Sequence, residues 1–114
     1  MSSSRISIRT CKGIRIIECK DIIYCKADDR YTRIYLHNSE SHLIAKVLKD
    51  YEELLPSEFF LRIHKSYLVN LAFVKEYISN NGRKLVLHDN TELPVSHRKC
   101  RLFTNKISKL FPSN

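Results

Sequence analysis

Glycine occurs only twice in 114 residues, which leaves no glycine-rich loop to cradle a nucleotide phosphate. The four cysteines, Cys11, Cys19, Cys25 and Cys100, include no CxxC pair and have no histidine at zinc-finger spacing, which excludes the common structural zinc modules. No apolar run approaches the ~20 residues that a membrane-spanning helix needs. The polar start, Met1 to Ser4, lacks the apolar stretch of a secretory signal. Nothing here routes the chain outward, so the cysteines are expected as free thiols in a reducing cytoplasm. Acidic residues are missing from both ends: none precedes Glu18 and none follows Glu92.

What is present fits one globular domain with a single core. The apolar fraction is 43%, and 20 basic against 12 acidic residues give a net charge of +8. A basic excess concentrated at the ends points to an anionic partner, nucleic acid or an anionic surface. The C-terminal run is the denser one, with Arg98, Lys99, Arg101, Lys106 and Lys109.

Residues 1–4 read as a flexible lead-in. Residues 5–9 and 14–16 alternate at period two and read as half-buried strands, with Lys12-Gly13 as the turn between them. Residues 22–24 form a short apolar strand, and residues 26–30 an exposed polar loop. The stretch from Tyr31 to Leu36 alternates again, with Thr32, Ile34 and Leu36 on one face and Tyr31, Arg33 and Tyr35 on the other. Asn38-Ser39 turns the chain into residues 41–45. At Val47 the period changes: Val47, Leu48, Tyr51, Leu54 and Leu55 share one face of an amphipathic helix. Pro56 ends that helix by disfavouring helical backbone at Leu55.

Downstream, residues 73–79, 84–88 and 91–95 read as three strands joined at Asn81-Gly82 and Asp89-Asn90, an antiparallel meander. The last element is a basic helix. Cys100, Phe103, Ile107 and Leu110 form its apolar stripe, Ser96 is the expected N-cap, and His97, Arg98 and Lys99 crowd its first turn. Basic groups there oppose the helix dipole, and a bound phosphate would relieve them.

The most informative stretch is 59–70, in which Arg62, His64 and Lys65 interrupt an apolar run. The polar triplet His64-Lys65-Ser66 is anchored on both sides and could be held out to a partner. Two readings of His64 stay open: a hydrogen-bonded structural residue, or a group presented to a ligand. His64 and Ser66 are neighbours on one segment with no acid beside them, so a nucleophile–base pair is not expected and neither is an enzyme. His37, His42, His88 and His97 are scattered, and no metal site or cofactor is expected.

Phe60-Leu61-Arg62-Ile63-His64-Lys65-Ser66-Tyr67-Leu68-Val69-Asn70 resembles the central signature of the LytTR DNA-binding domain family. Glu92-Leu93-Pro94-Val95-Ser96-His97-Arg98 resembles its second signature, and Asp21-Ile22-Ile23-Tyr24-Cys25-Lys26-Ala27 its early strand. The resemblance spans nearly the whole chain, with the domain at residues 5–111 and a tail at 112–114. It implies a mostly β fold: short antiparallel strands in small sheets, one amphipathic helix mid-chain and the basic C-terminal helix. It further implies sequence-specific binding of double-stranded promoter DNA by loops entering successive major grooves, as the output domain of a bacterial response regulator.

The contacting loops it implies are Asp28 to Arg33, His64-Lys65-Ser66, and His97 to Arg98; Asp28 and Asp29 would repel phosphates, which leaves Arg30, Thr32 and Arg33 in the first, and the basic helix start adds Lys99 and Arg101. Family members commonly carry Arg at the positions of Lys65 and His97, and Lys donates as a point charge rather than as a fork. No receiver domain lies within these residues, so the switch is expected elsewhere in a full-length protein or on another chain. A dimer on DNA is compatible with this reading. RNA binding on exposed aromatics such as Tyr31 and Tyr35, or docking to an acidic protein, are the alternatives.

Overall fold

A computed structural model describes residues 4–113. The proposed lead-in therefore lies mostly outside the described residues, as does the last residue of the tail. The chain begins with a ribbon of β1 (Arg5–Thr10) and β2 (Gly13–Glu18). Their two-residue turn closes on Gly13, whose φ of +136° lies in a region that side chains avoid. Next come β3 (Ile22–Asp28), β4 (Tyr31–Leu36) and β5 (Ser41–Ile44), followed by α1 (Leu48–Leu54). The central signature folds as the hairpin β6 (Phe60–His64) and β7 (Tyr67–Asn70). The meander is β8 (Val74–Ile78), β9 (Lys84–Leu87) and β10 (Glu92–Pro94), and the chain closes with α2 (Cys100–Leu110).

These elements stack in three layers. The middle layer is an antiparallel five-stranded sheet of order β5-β4-β3-β7-β6. Within it β3 as far as Cys25 and β7 are largely buried and read as apolar runs, whereas β4 alternates between buried and more exposed positions. Ile22, Cys25, Ile34 and Leu68 face Ile6, Ile8 and Ile17 of the ribbon and Leu48, Tyr51 and Leu55 of α1. Ile23, Ile63 and Val69 face the other way, onto Leu85, Leu87 and Leu93 of the meander and Phe103 of α2. Large side chains buried this way contribute roughly 1.5–3 kcal/mol each.

Most of the expected elements are present, and the differences have physical causes. Ile14 and Ile16 do not bury; they are 63% and 56% exposed. The ribbon register pairs them with Arg9 and Ser7 on the outer face. Arg15 lies opposite Ile8 instead and reaches Glu40 at 2.6 Å. That ion pair holds the exposed Glu40 carboxyl down at about 2. Residues 26–28 are not loop: pairing with β7 as far as Lys26 and with β4 to the end carries β3 on to Asp28, and the turn shrinks to Asp29-Arg30. Val47, just before α1, and Leu54 within it are exposed, as is Phe59 ahead of β6. Asn81 and Gly82 both take the expected positive φ, but within a longer connection whose last pair is Ile78–Lys84. Ser96 makes no side-chain cap, because a 3-10 turn at His97–Lys99 precedes α2.

Burial also settles the state of two thiols. Desolvation pushes both Cys19 and Cys25 above the ordinary thiol range, which keeps them protonated at neutral pH and poor nucleophiles. No disulfide forms among the described residues.

Two buried polar side chains lock this frame. Thr32 is fully buried, and its hydroxyl donates to the Lys46 carbonyl at 2.7 Å, which ties β4 to the segment entering α1. Asn70, 2% exposed, donates to the Ile22 carbonyl at 3.0 Å and accepts from the Ala72 amide at 3.0 Å. Each such group costs about 1–3 kcal/mol when left unsatisfied. Asn70→Ala should therefore lower stability by about 2 kcal/mol in urea denaturation; a loss below about 0.5 kcal/mol would mean that water replaces both bonds.

Candidate functional site

The antiparallel order of the middle sheet brings two hairpin tips to the same end. β3 reaches its tip at Asp28 and β7 leaves its own at Tyr67, and Lys26 is the partner of Tyr67. The Ala27 amide donates to the Ser66 carbonyl at 2.9 Å, stitching the tips together. A third segment joins through the Ser96 amide, which donates to the Ile63 carbonyl at 2.8 Å. The end of the domain thus carries, in order, the Asp29-Arg30 turn, the Lys65-Ser66 turn and the His97–Lys99 turn.

The middle turn is organised from within. The Arg62 guanidinium donates from Nε to the His64 carbonyl at 3.3 Å and from a terminal nitrogen to the Lys65 carbonyl. Its other terminal nitrogen reaches Glu52 of α1 at 3.1 Å. Arg62 is thereby a clamp between helix and turn, a use for which its rigid fork suits it. The Ser66 amide donates to Nδ1 of His64 at 3.1 Å. With Nδ1 accepting, the neutral imidazole carries its proton on Nε2. The His64 ring also lies 5.7 Å from that of Tyr67. His64 is thus a hydrogen-bonded member of the turn, and Lys65 is its exposed residue.

The structure gathers some of the expected residues and disperses others. His64, Lys65, Arg98 and Lys99 line one shallow concavity with Arg62, Ser96 and Glu52. Its charge is positive on balance, so it suits an anion. Ser66 is half-buried at the edge of the tip, and His97 and Arg101 are exposed just beyond it. Arg30 opens on a separate depression with Asp29, Lys46 and Asp50. Arg33 stands on the face of the sheet, where its nearest polar partner is Ser41 Oγ at 3.4 Å. Thr32, by contrast, is fully buried, and its hydroxyl is used on the Lys46 carbonyl. The role of Arg62 was not legible in the sequence, since an arginine in an apolar run reads as a polar interruption until its acceptors are known. Among the described residues no cluster of three metal-ligating side chains occurs, and no helix is long and apolar enough to cross a membrane.

A family profile described as the LytTr DNA-binding domain matches residues 12–108. The sensory transduction protein LytT of Bacillus subtilis is 28% identical over 108 residues, covering 93% of this chain and 43% of that protein. The transcriptional regulatory protein YpdB of Escherichia coli is 33% identical over 102 residues, covering 85% of this chain and 41% of that protein. This chain thus spans about two fifths of the length of these relatives. A solved LytTr DNA-binding domain from Bacillus cereus superposes with a TM-score of 0.81 at 22% identity, covering 93% of this chain and 98% of the other.

The clamp makes its own prediction. Arg62→Met keeps the aliphatic stem and removes every donor. Hydrogen bonds to a charged group contribute about 1.5–3 kcal/mol, so amide exchange at Ser66 should speed up by about tenfold or more. Unchanged exchange would show that the turn holds its shape without Arg62.

Proposed function

The chain belongs to the LytTR DNA-binding domain family, and on that premise we propose that it binds duplex DNA sequence-specifically at promoters through the three turns at the end of its middle sheet, which carry Arg30, Lys65 and the Arg98-Lys99 pair. The observation that carries this reading is their convergence. Backbone hydrogen bonds from Ala27 to Ser66 and from Ser96 to Ile63 gather segments far apart in sequence at one end of the domain, where Lys65, Arg98 and Lys99 share a concavity and the Arg30 turn stands on the neighbouring tip.

The order of the segments supports a division of labour. The Arg30 turn and the His97–Lys99 turn flank the Lys65 turn and enter successive major grooves, which recur every ~34 Å along the duplex. Lys65, on a turn clamped by Arg62 and His64, is held well enough to choose a base edge. Arg98 and Lys99, exposed or partly so ahead of α2, contact phosphate. The domain acts as the output part of a bacterial response regulator in the cytoplasm, controlled by a receiver domain in the same protein or on another chain, and can pair with a second copy on DNA.

Selection of bound duplexes from a random pool tests the reading, followed by titration of the enriched site across salt. Log K should fall with log salt at about −0.9 per phosphate neutralised. Preference for single-stranded RNA, or binding indifferent to salt, would count against it. On single-base variants of the enriched site, Lys65→Ala should cost about 1–3 kcal/mol and flatten preference at one position. Arg98→Ala should weaken all duplexes alike and lower the salt slope by about one. Uniform weakening by Lys65→Ala would assign that residue to phosphate instead.

A further inference from the structure

One row of side chains crosses all five strands of the middle sheet, directly behind the tips. The registers align Leu43 with Arg33, Arg33 with Lys26, Lys26 with Tyr67, and Tyr67 with His64. Partners placed directly opposite one another project from the same face. Lys26 and Arg33 are thus a like-charge pair on adjacent strands, an arrangement that destabilises a sheet. Among the described residues neither forms an ion pair with an acid. Arg33 has only a 3.4 Å bond to Ser41 Oγ, and the Lys26 ammonium stands 6.0 Å from the centre of the Tyr67 ring. The tyrosine stem beneath them is rigid: Tyr24 and Tyr35, one pair further from the tip, stack at 4.3 Å. A repulsive pair kept on a stiff, solvated face is accounted for when an anion lies over it.

The position of the pair says which anion. Lys26 lies three residues back from Asp29 at the tip, about 10 Å at the strand rise of ~3.3 Å per residue. A major groove is about 8.5 Å deep. When the Asp29-Arg30 tip reaches the base edges, the Lys26–Arg33 pair is level with the rim of the groove, where the phosphates run. We infer that Lys26 and Arg33, backed by Tyr67, form a phosphate cradle that seats the sugar–phosphate backbone at the mouth of the groove entered by the β3–β4 tip. The inference rests on the duplex-binding reading above and adds Lys26, which neither the composition nor the signature residues single out as a contact. The cradle sets depth of entry and affinity, while base choice stays with the tips.

Lys26→Gln, Arg33→Gln and the double variant test it, each measured on the enriched duplex, a scrambled duplex and a single strand of equal length, across salt. Each single change should lower the salt slope on duplex by about one and the double by about two, with the ratio of specific to scrambled binding unchanged. Without DNA, the double variant should melt at the same temperature as the wild type or higher at low salt, because repulsion is relieved; a lower melting point would show the pair to be structural and overturn the cradle. An unchanged duplex slope in the double variant, with wild-type protein binding normally, refutes the cradle and leaves the duplex reading intact. A loss confined to the single strand makes the row a stacking platform and also refutes it. Failure of the wild type to bind any duplex would instead remove the premise.

Discussion

The antiparallel ladder between β3 and β7 is the constraint on which the rest depends. It joins Tyr24 to Val69, Cys25 to Leu68 and Lys26 to Tyr67, strands more than forty residues apart in sequence. Through it the N-terminal half and the signature hairpin become one sheet with two buried faces. Consecutive residues then serve opposite cores: Leu68 packs with the ribbon and α1, and Val69 with the meander and α2. The same ladder sets the two hairpin tips side by side. A one-residue slip would exchange the two faces and part the tips together.

The surface so built spends its polar groups in two ways. Some side chains inside the signatures make the shape: Asn70 fixes the exit of β7, Thr32 the approach to α1, and Arg62 and His64 the turn between β6 and β7. Others are left over once the shape is made. Lys65, Arg98 and Lys99 meet in one concavity, and Lys26 and Arg33 sit together on the sheet. Signature membership therefore does not tell which side chains the fold uses, but hydrogen-bond accounting does: a side chain whose donors are already used internally has little left for a partner.

Elements whose two sides meet different surroundings were legible in advance. β4 showed its phase because Thr32, Ile34 and Leu36 are buried while Tyr31, Arg33 and Tyr35 look outward. The stripe of α2 was readable for the same reason, with Phe103 innermost. The ribbon misled because alternation fixes the period and not which phase faces inward, and two isoleucines in β2 ended outside. The end of β3 was hidden in a polar run, Lys26 to Asp28, which becomes strand only because β4 pairs with all of it and β7 with its first residue.

By itself the sequence determined the mostly β class, the positions of both helices and of most strands outside residues 59–70, the basic balance of the chain and the family, since local periodicity, turn residues and short signatures are properties of neighbouring residues. Tertiary structure alone decided that Arg62 clamps the turn, that Thr32 is lost to the core, that Arg98 shares a concavity with Lys65, and that Lys26 faces Arg33 across a ladder. Those are distances between residues far apart along the chain, and they exist only once hydrogen-bond register and the burial of two sheet faces have chosen which segments lie together.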